Sequence, residues 1–157
     1  MDTNKFSVRN ATDQDADAVT ECVHNAFRHY IERIGRKPGP MLMDYAHEIR
    51  EHQVFVVEDH GQIFGVLVLC IKDEGFLLDV IAVEPHAQGK GIGKLLLETA
   101  ESEARRQGFT SIYLYTHEKM TENQLLYKKI GYVEYDRRVE QGLRRVYMRK
   151  ELFTNAR

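Results

Sequence analysis

Apolar and polar positions along the chain alternate between two periods, two residues and about 3.6, and the switches between them lay out an α/β domain. Residues 6–10 read as a first strand. Thr12 or Asp13 then caps a helix whose Ala16, Val19, Cys22, Val23, Ala26 and Phe27 recur at helical spacing. Two prolines and two glycines in the stretch 35–40 interrupt any regular element, and a second helix carries Met43, Tyr45, Ala46 and Ile49. Three strands follow at 53–59, 62–72 and 75–83, joined by His60-Gly61 and Asp73-Glu74-Gly75 as an antiparallel meander. The helix 91–107 turns Ile92, Leu95, Leu96 and Ala100 inward, sets Glu101 four residues before Arg105 and stops at Gly108. In a strand at 110–116, Ile112 and Leu114 face opposite to Tyr113 and Tyr115. A short helix at about 121–130 precedes a hairpin of 132–139 and 143–148, turning at Gln141-Gly142.

Composition narrows the setting. With 157 residues and 43% hydrophobic content, the chain suits a single domain over 1–157, large enough to bury roughly 70% of its unfolded surface. No apolar run is long enough to span a bilayer, and the polar start Met1-Asp2-Thr3-Asn4-Lys5 lacks a signal peptide's apolar region, so a cytoplasmic location is expected. Cys22 and Cys70 sit among apolar neighbours and read as buried thiols. A net charge of −2 argues against a general nucleic-acid binder. Basic residues nevertheless crowd the C-terminal hairpin, where they solvate a strand edge or meet a partner such as RNA. Seven histidines show no metal-ligand spacing, so no metal site is expected.

Chemistry concentrates in Val83-Glu84-Pro85-His86-Ala87-Gln88-Gly89-Lys90-Gly91-Ile92-Gly93-Lys94, which runs from an apolar strand through three alternating glycines into a helix. Glycines let the main chain approach a ligand closely. The unpaired amides of the helix's first turn then point at it, with the helix dipole behind them, and phosphate is the natural guest. A bare turn is the plainer reading of the same glycines. The spacing does not match Gly-x-Gly-x-x-Gly of dinucleotide folds, and Leu95 stands where a Walker loop needs Ser or Thr.

The pattern Gln88-x-x-Gly91-x-Gly93 resembles the acyl-CoA pyrophosphate loop of the GCN5-related N-acetyltransferases (GNAT family). The segment 75–83 resembles the family's fourth strand, and Asn123 to Tyr132, with Leu126-Tyr127-Lys128-Lys129-Ile130-Gly131, its late helix and exit. Residues 6–16 resemble its first strand and helix start, so the likeness covers nearly the whole chain in order. It implies the GNAT fold: a mixed seven-stranded sheet flanked by about four helices, its parallel fourth and fifth strands splayed apart. It also implies acetyl-CoA as cosubstrate, held by Gln88, Gly89, Lys90, Gly91, Ile92, Gly93 and Lys94 at the pyrophosphate. Backbone groups of Ile81, Ala82 and Val83 would pair with the pantetheine arm, and one of their amides would face the developing oxyanion. Lys128 and Lys129 could reach the 3′-phosphate.

Acetyl transfer to an amine needs a neutral nitrogen, a donor for the oxyanion and a proton for the departing thiolate. By its place after Leu126 and four residues before Gly131, Tyr127 resembles the family's general acid, and a phenol still protonated at neutral pH can donate to the thiolate; a tyrosine that packs in the core is the plainer reading. The family's usual base positions fall on Leu77 and Tyr115, leaving Asp79, Glu84, His117 and Glu118 as candidates beside a water chain without a dedicated base. Met120 stands where relatives often carry an Asn, and Asn123 could take over its contact. For the acceptor, the resemblance implies Tyr30, Arg33, the 38–41 loop, Tyr45 and Tyr135. A small polar amine follows from that residue character, with a carboxylate for Arg33 to grip; peptide N-termini, polyamines, amino acids and antibiotics all fit. The expected activity is therefore N-acetyl transfer from acetyl-CoA to a primary amine of a small molecule or peptide. A domain that binds acyl-CoA without turning it over, as a sensor or interaction module, is the alternative. A homodimer formed through the late strands would cover their edges.

Overall fold

In a computed structural model of the chain, which describes residues 5–152, the alternating segments form β1 (Ser7–Asn10), β2 (Gln53–Asp59), β3 (Gln62–Lys72), β4 (Gly75–Val83), β5 (Ser111–His117), β6 (Val133–Glu140) and β7 (Leu143–Glu151). They pair into one sheet of order β1-β2-β3-β4-β5-β7-β6. Every neighbouring pair is antiparallel except β4 and β5, which run parallel and meet at Leu77 opposite Tyr113. The expected meander is thus present, and its turn at His60-Gly61, like the one at Gln141-Gly142, places both residues at positive φ. That is the backbone a two-residue hairpin turn requires.

Helices cover both faces. On one, α1 (Ala16–Phe27) and α3 (Tyr45–Glu51) bury Val19, Val23 and Tyr45 against Val54, Val56, Val66, Val68 and Val80. On the other, α4 (Ile92–Arg106) buries Ile92, Leu96 and Ala100 against Leu67, Leu69, Phe76, Ile112 and Leu114. The central strand β3 is buried on both sides from Gly65 to Cys70, which is why its sequence is a continuous apolar run instead of an alternating one. Ahead of α1, Thr12 and Asp15 form a capping box around a 3-10 turn, so the predicted cap lies one turn upstream of the α-helix.

Two short elements depart from the sequence reading. Residues Tyr30–Ile34 form a one-turn helix, α2, closed by Gly35 at φ 90°, and Gly39–Leu42 make a 3-10 turn that begins at the end of the 35–40 stretch read as irregular. Proline is compatible with a first helical turn, where its missing N–H would have no partner anyway. The last helix, α5 (Thr121–Lys129), stops one residue earlier than expected. Cys22 and Cys70 are free and buried, and burial pushes both thiols up to about 12, so neither is a nucleophile. No described helix is long and apolar enough to cross a membrane, and residues 1–4 of the polar start lie outside the described residues.

The site depends on how closely α4 approaches the sheet. A Cβ on Gly65 would lie 2.8 Å from Ile92 Cγ2 and 3.1 Å from Leu96 Cδ1, closer than packed carbon atoms tolerate. Gly65→Ala is therefore expected to destabilise the protein by about 1–3 kcal/mol through overpacking. Urea unfolding should show a lower midpoint at an unchanged slope; an unchanged midpoint would mean that α4 shifts without cost.

Candidate active site

Beyond Val83 the chain makes a 3-10 turn at Pro85–Ala87, then passes through Gly89 (φ 83°) and Gly91 (φ 87°) in the left-handed region. Gly91 is the N-cap of α4, and the first amide bonded back into the helix is Leu95 N, which donates to Gly91 O. The amides of Ile92, Gly93 and Lys94 therefore have no carbonyl behind them within the helix, and they stand unpaired at the positive end of a 15-residue helix, an arrangement suited to an anion. Gln88, Gly89, Ile92, Gly93 and Lys94 line a groove of about 810 Å³. Lys90 and Gly91 do not line it, Gly91 contributing instead as the N-cap of α4. Neither do Lys128 and Lys129, which are exposed on α5, while Lys150 lines the groove and donates to Glu101 at 2.7 Å.

One wall of the groove is Ile81, Ala82 and Val83. Glu84 N–H donates across to Phe64 O of β3, and peptide groups alternate along a strand. Ala82 consequently turns its main chain to β3, opposite Val66, and Ile81 and Val83 turn theirs to the open edge, where β5 has parted from β4. A polar, extended arm is the ligand such an edge accepts, by adding to it as a strand does.

The parting has a cause in β4 itself. Val80 pairs with Val68 and Leu78 with Leu69, so Asp79 is the extra residue of a β-bulge. Such a bulge bends its strand and re-aims the side chain. Asp79 enters a second cavity, of about 380 Å³, and accepts from Tyr115 Oη at 3.4 Å and from the Cys70 thiol at 3.9 Å. These are weak partners for a largely buried carboxylate, and burial raises the Asp79 pKa above the ordinary aspartate value. His117 lines the same cavity; its Nδ1 accepts from Lys119 N–H at 3.0 Å, and burial lowers its pKa, leaving a neutral ring with its proton on Nε2.

Tyr127 is 7% exposed and lines both the groove and the cavity, as do Phe27, Ile81 and Asn123. Burial, and to a smaller extent the charge of Tyr30, raises its phenol pKa, with no hydrogen bond contributing. Asn123 sits beside Met120, its Nδ2 3.7 Å from the Met120 sulfur, and both line the cavity.

Other expected site residues are placed elsewhere. Glu84 is nearly buried and accepts from Asn25 Nδ2 at 3.1 Å, outside both chambers. Tyr30 lines the groove, not the cavity, and Arg33 is engaged by Glu122 and stacked on Tyr30. Tyr45 is core, its hydroxyl donating to Pro40 O at 2.7 Å. Tyr135 is the bulged residue of β6 and donates to Glu74 at 2.8 Å. The 38–41 loop does reach the cavity, through Pro38, Gly39 and Pro40. Tyr115, Arg36 and Arg145 also line it, although the sequence marks none of them as an acceptor residue and Tyr115 only as the replacement of a base. The basic hairpin is largely self-neutralised, Arg137 by Glu134, Arg138 by Glu74 and Asp136, and Arg145 by Glu140.

Comparison with known proteins agrees with this geometry. The family described as acetyltransferase (GNAT) domain matches residues 50–134, more than half of the chain. YhfO of Bacillus subtilis, described as an N-acetyltransferase, is 26% identical over 136 residues, covering 82% of this chain and 91% of that one. A GCN5-related N-acetyltransferase from Rhodopseudomonas palustris superposes with a TM-score of 0.80 at 18% identity, covering 97% of this chain and 99% of its own. PaiA N-acetyltransferase from Thermoplasma acidophilum, solved with coenzyme A, gives 0.77 at 18% identity, covering 93% and 98%. The solved structures speak for the fold, and the match over 50–134 speaks for the sequence: this chain belongs to the GNAT family of acetyltransferases.

Proposed function

We propose that the protein transfers the acetyl group of acetyl-CoA to a primary amine, with acetyl-CoA in the groove and the acceptor in the cavity behind Asp79. The observation that carries this reading is the sharing of Tyr127, Phe27, Ile81 and Asn123 by the two chambers, which supports Tyr127 as the proton donor between them. The groove fits the cosubstrate: an anion turn at Ile92 to Lys94, an open strand edge at Ile81 and Val83, and apolar walls between them. Bound there, acetyl-CoA would supply an acetyl group activated as a thioester.

The protein's own groups divide the proton traffic. Asp79, raised by burial, is the base that takes the acceptor's proton, directly or through water. His117 is less suited to that role, because its unprotonated nitrogen already accepts a backbone hydrogen bond. Tyr127 Oη keeps its proton throughout the neutral range and donates from the shared wall. An amide at Ile81 or Val83 is placed to stabilise negative charge as it develops.

Thiol release from acetyl-CoA in the presence of an amine panel tests the proposal. Release with at least one amine is expected; binding of acetyl-CoA without release from any would favour a non-catalytic sensor instead. Asp79→Asn should lower kcat/KM by roughly 10²–10⁴ and remove its acidic limb, which in the wild type lies above the ordinary aspartate range. The same change should raise the melting temperature. Because the folded-state pKa is raised, Asp79 favours folding most below its unfolded pKa near 4 and loses that contribution as pH rises through the folded value. Asparagine mimics the protonated form and removes the cost of the buried charge at pH 8. A melting temperature that fell, with the acidic limb retained, would take Asp79 out of the mechanism.

A further inference from the structure

Two observations about the cavity bear on what it accepts. The first is Arg145, on β7, whose side chain is only 17% exposed although it carries a permanent charge. Its guanidinium stacks on the Tyr115 ring at 4.4 Å and is tethered by one bond, Nη1 to Glu140 Oε1 at 3.1 Å. Glu140 is itself held by Tyr147 Oη at 2.6 Å. Stacking and tether fix the guanidinium plane, while a single bond uses little of a five-donor fork that lines the cavity. Tyr115 joins two of the chamber's charged groups, Arg145 against its face and Asp79 at its hydroxyl, so cation and anion stand about one phenol apart. At the rim Arg36 adds a second guanidinium, with Nη1 donating to Gln141 O at 3.1 Å.

The second observation is the remaining wall. Leu78, Val80, Leu114 and Met43 are apolar, and Leu42 lines the cavity from the 3-10 turn while 61% exposed. A large aliphatic side chain left open at a cavity mouth is suited to an apolar group on the ligand.

We infer that the acceptor is a small amino acid with an apolar side chain: its amine lies toward Asp79 and Tyr127, its carboxylate meets the open edge of Arg145, and its side chain lies against Leu42 and Leu78. This rests on the acetyltransferase reading above and specifies the acceptor of that same site. A carboxylate suits Arg145 better than a phosphate. Its one bond to Glu140 leaves most of the guanidinium's donors free, and the planar fork matches a planar two-oxygen acceptor better than a tetrahedral one.

The test uses leucine, leucinamide and isoamylamine as acceptors at saturating acetyl-CoA, read by thiol release. Leucine should exceed both analogues in kcat/KM by about tenfold or more, the value of a charge-assisted hydrogen bond. That preference would arise against the amide's less basic, more readily deprotonated amine. Arg145→Gln should bring the three within about threefold of one another, chiefly by raising KM for leucine, and Arg145→Lys, which keeps the charge but loses the fork, should fall between. Tyr147→Phe disturbs the Glu140 tether without removing the guanidinium and should retain most of the preference. Equal or better turnover of leucinamide or isoamylamine overturns the inference, as does a preference that survives Arg145→Gln. If acetyl-CoA binds and no acceptor reacts, leucine is titrated calorimetrically into the CoA complex, and absence of heat overturns it as well. Failure of acetyl-CoA itself to bind is a separate result that removes the underlying reading.

Discussion

Tyr127→Phe is expected to lower kcat by roughly 10²–10⁴ while leaving affinity for acetyl-CoA and the melting temperature close to wild type. The substitution removes one oxygen and keeps the ring, which packs edge-on against Tyr132 with centroids 5.6 Å apart. Little packing is lost, and no described hydrogen bond is broken, because none contributes to the state of that hydroxyl. What disappears is a proton donor on the wall between the two chambers. A group acting only in the transition state affects kcat and kcat/KM alike, and calorimetry with CoA reports the ground state separately. Undiminished kcat in a folded Tyr127→Phe protein would assign the proton to another donor. A weakened affinity with normal kcat would make the residue a binding contact only.

Gly91→Glu is expected to abolish measurable binding of CoA esters while the protein stays folded. At φ 87° a side chain is strained, by roughly 1–2 kcal/mol, which a domain of this size tolerates. The inserted carboxylate sits at the first turn of α4, where the helix dipole favours a negative charge. The mutant therefore fills its own anion site. Gly91→Ala separates the two effects, carrying the strain without the charge, and should weaken binding far less. Calorimetric titration with CoA, paired with thermal unfolding of each variant, gives the comparison. Full affinity in a folded Gly91→Glu protein would show that the pyrophosphate is held elsewhere.

Much of this was legible before any coordinates. The strands 53–59, 62–72 and 75–83 emerge with the boundaries that their apolar runs and turn residues indicate, because local hydrophobicity and hairpin chemistry point the same way. The glycine turn ahead of α4 was equally legible. A strand, spaced glycines and a helix start are contiguous in sequence, so the backbone trap is assembled from neighbours along the chain. The family likeness placed Tyr127 for the same reason, as part of a local motif.

The acceptor side was not legible to the same degree. Arg33, Tyr45 and Tyr135 have the residue character of a binding site, yet one is engaged by Glu122, one is core and one is carried off by a bulge. Arg145 looked like one more solvated base of the hairpin. It becomes a cavity residue because β7 lies against β5, with Arg145 in register with His117 and stacked over Tyr115.

The sequence by itself determined the order and type of the elements and the glycine turn ahead of α4, and the family likeness singled out Tyr127, since each depends on residues within a few positions of one another. Tertiary structure alone decided that Asp79 leaves the strand's alternation at a bulge, and that β5 and β7 bring Tyr115 and Arg145 to face it. The physical reason is that a one-residue shift in strand pairing sends every following side chain to the opposite face. Register of that kind is set by contacts between distant segments, which no local pattern contains.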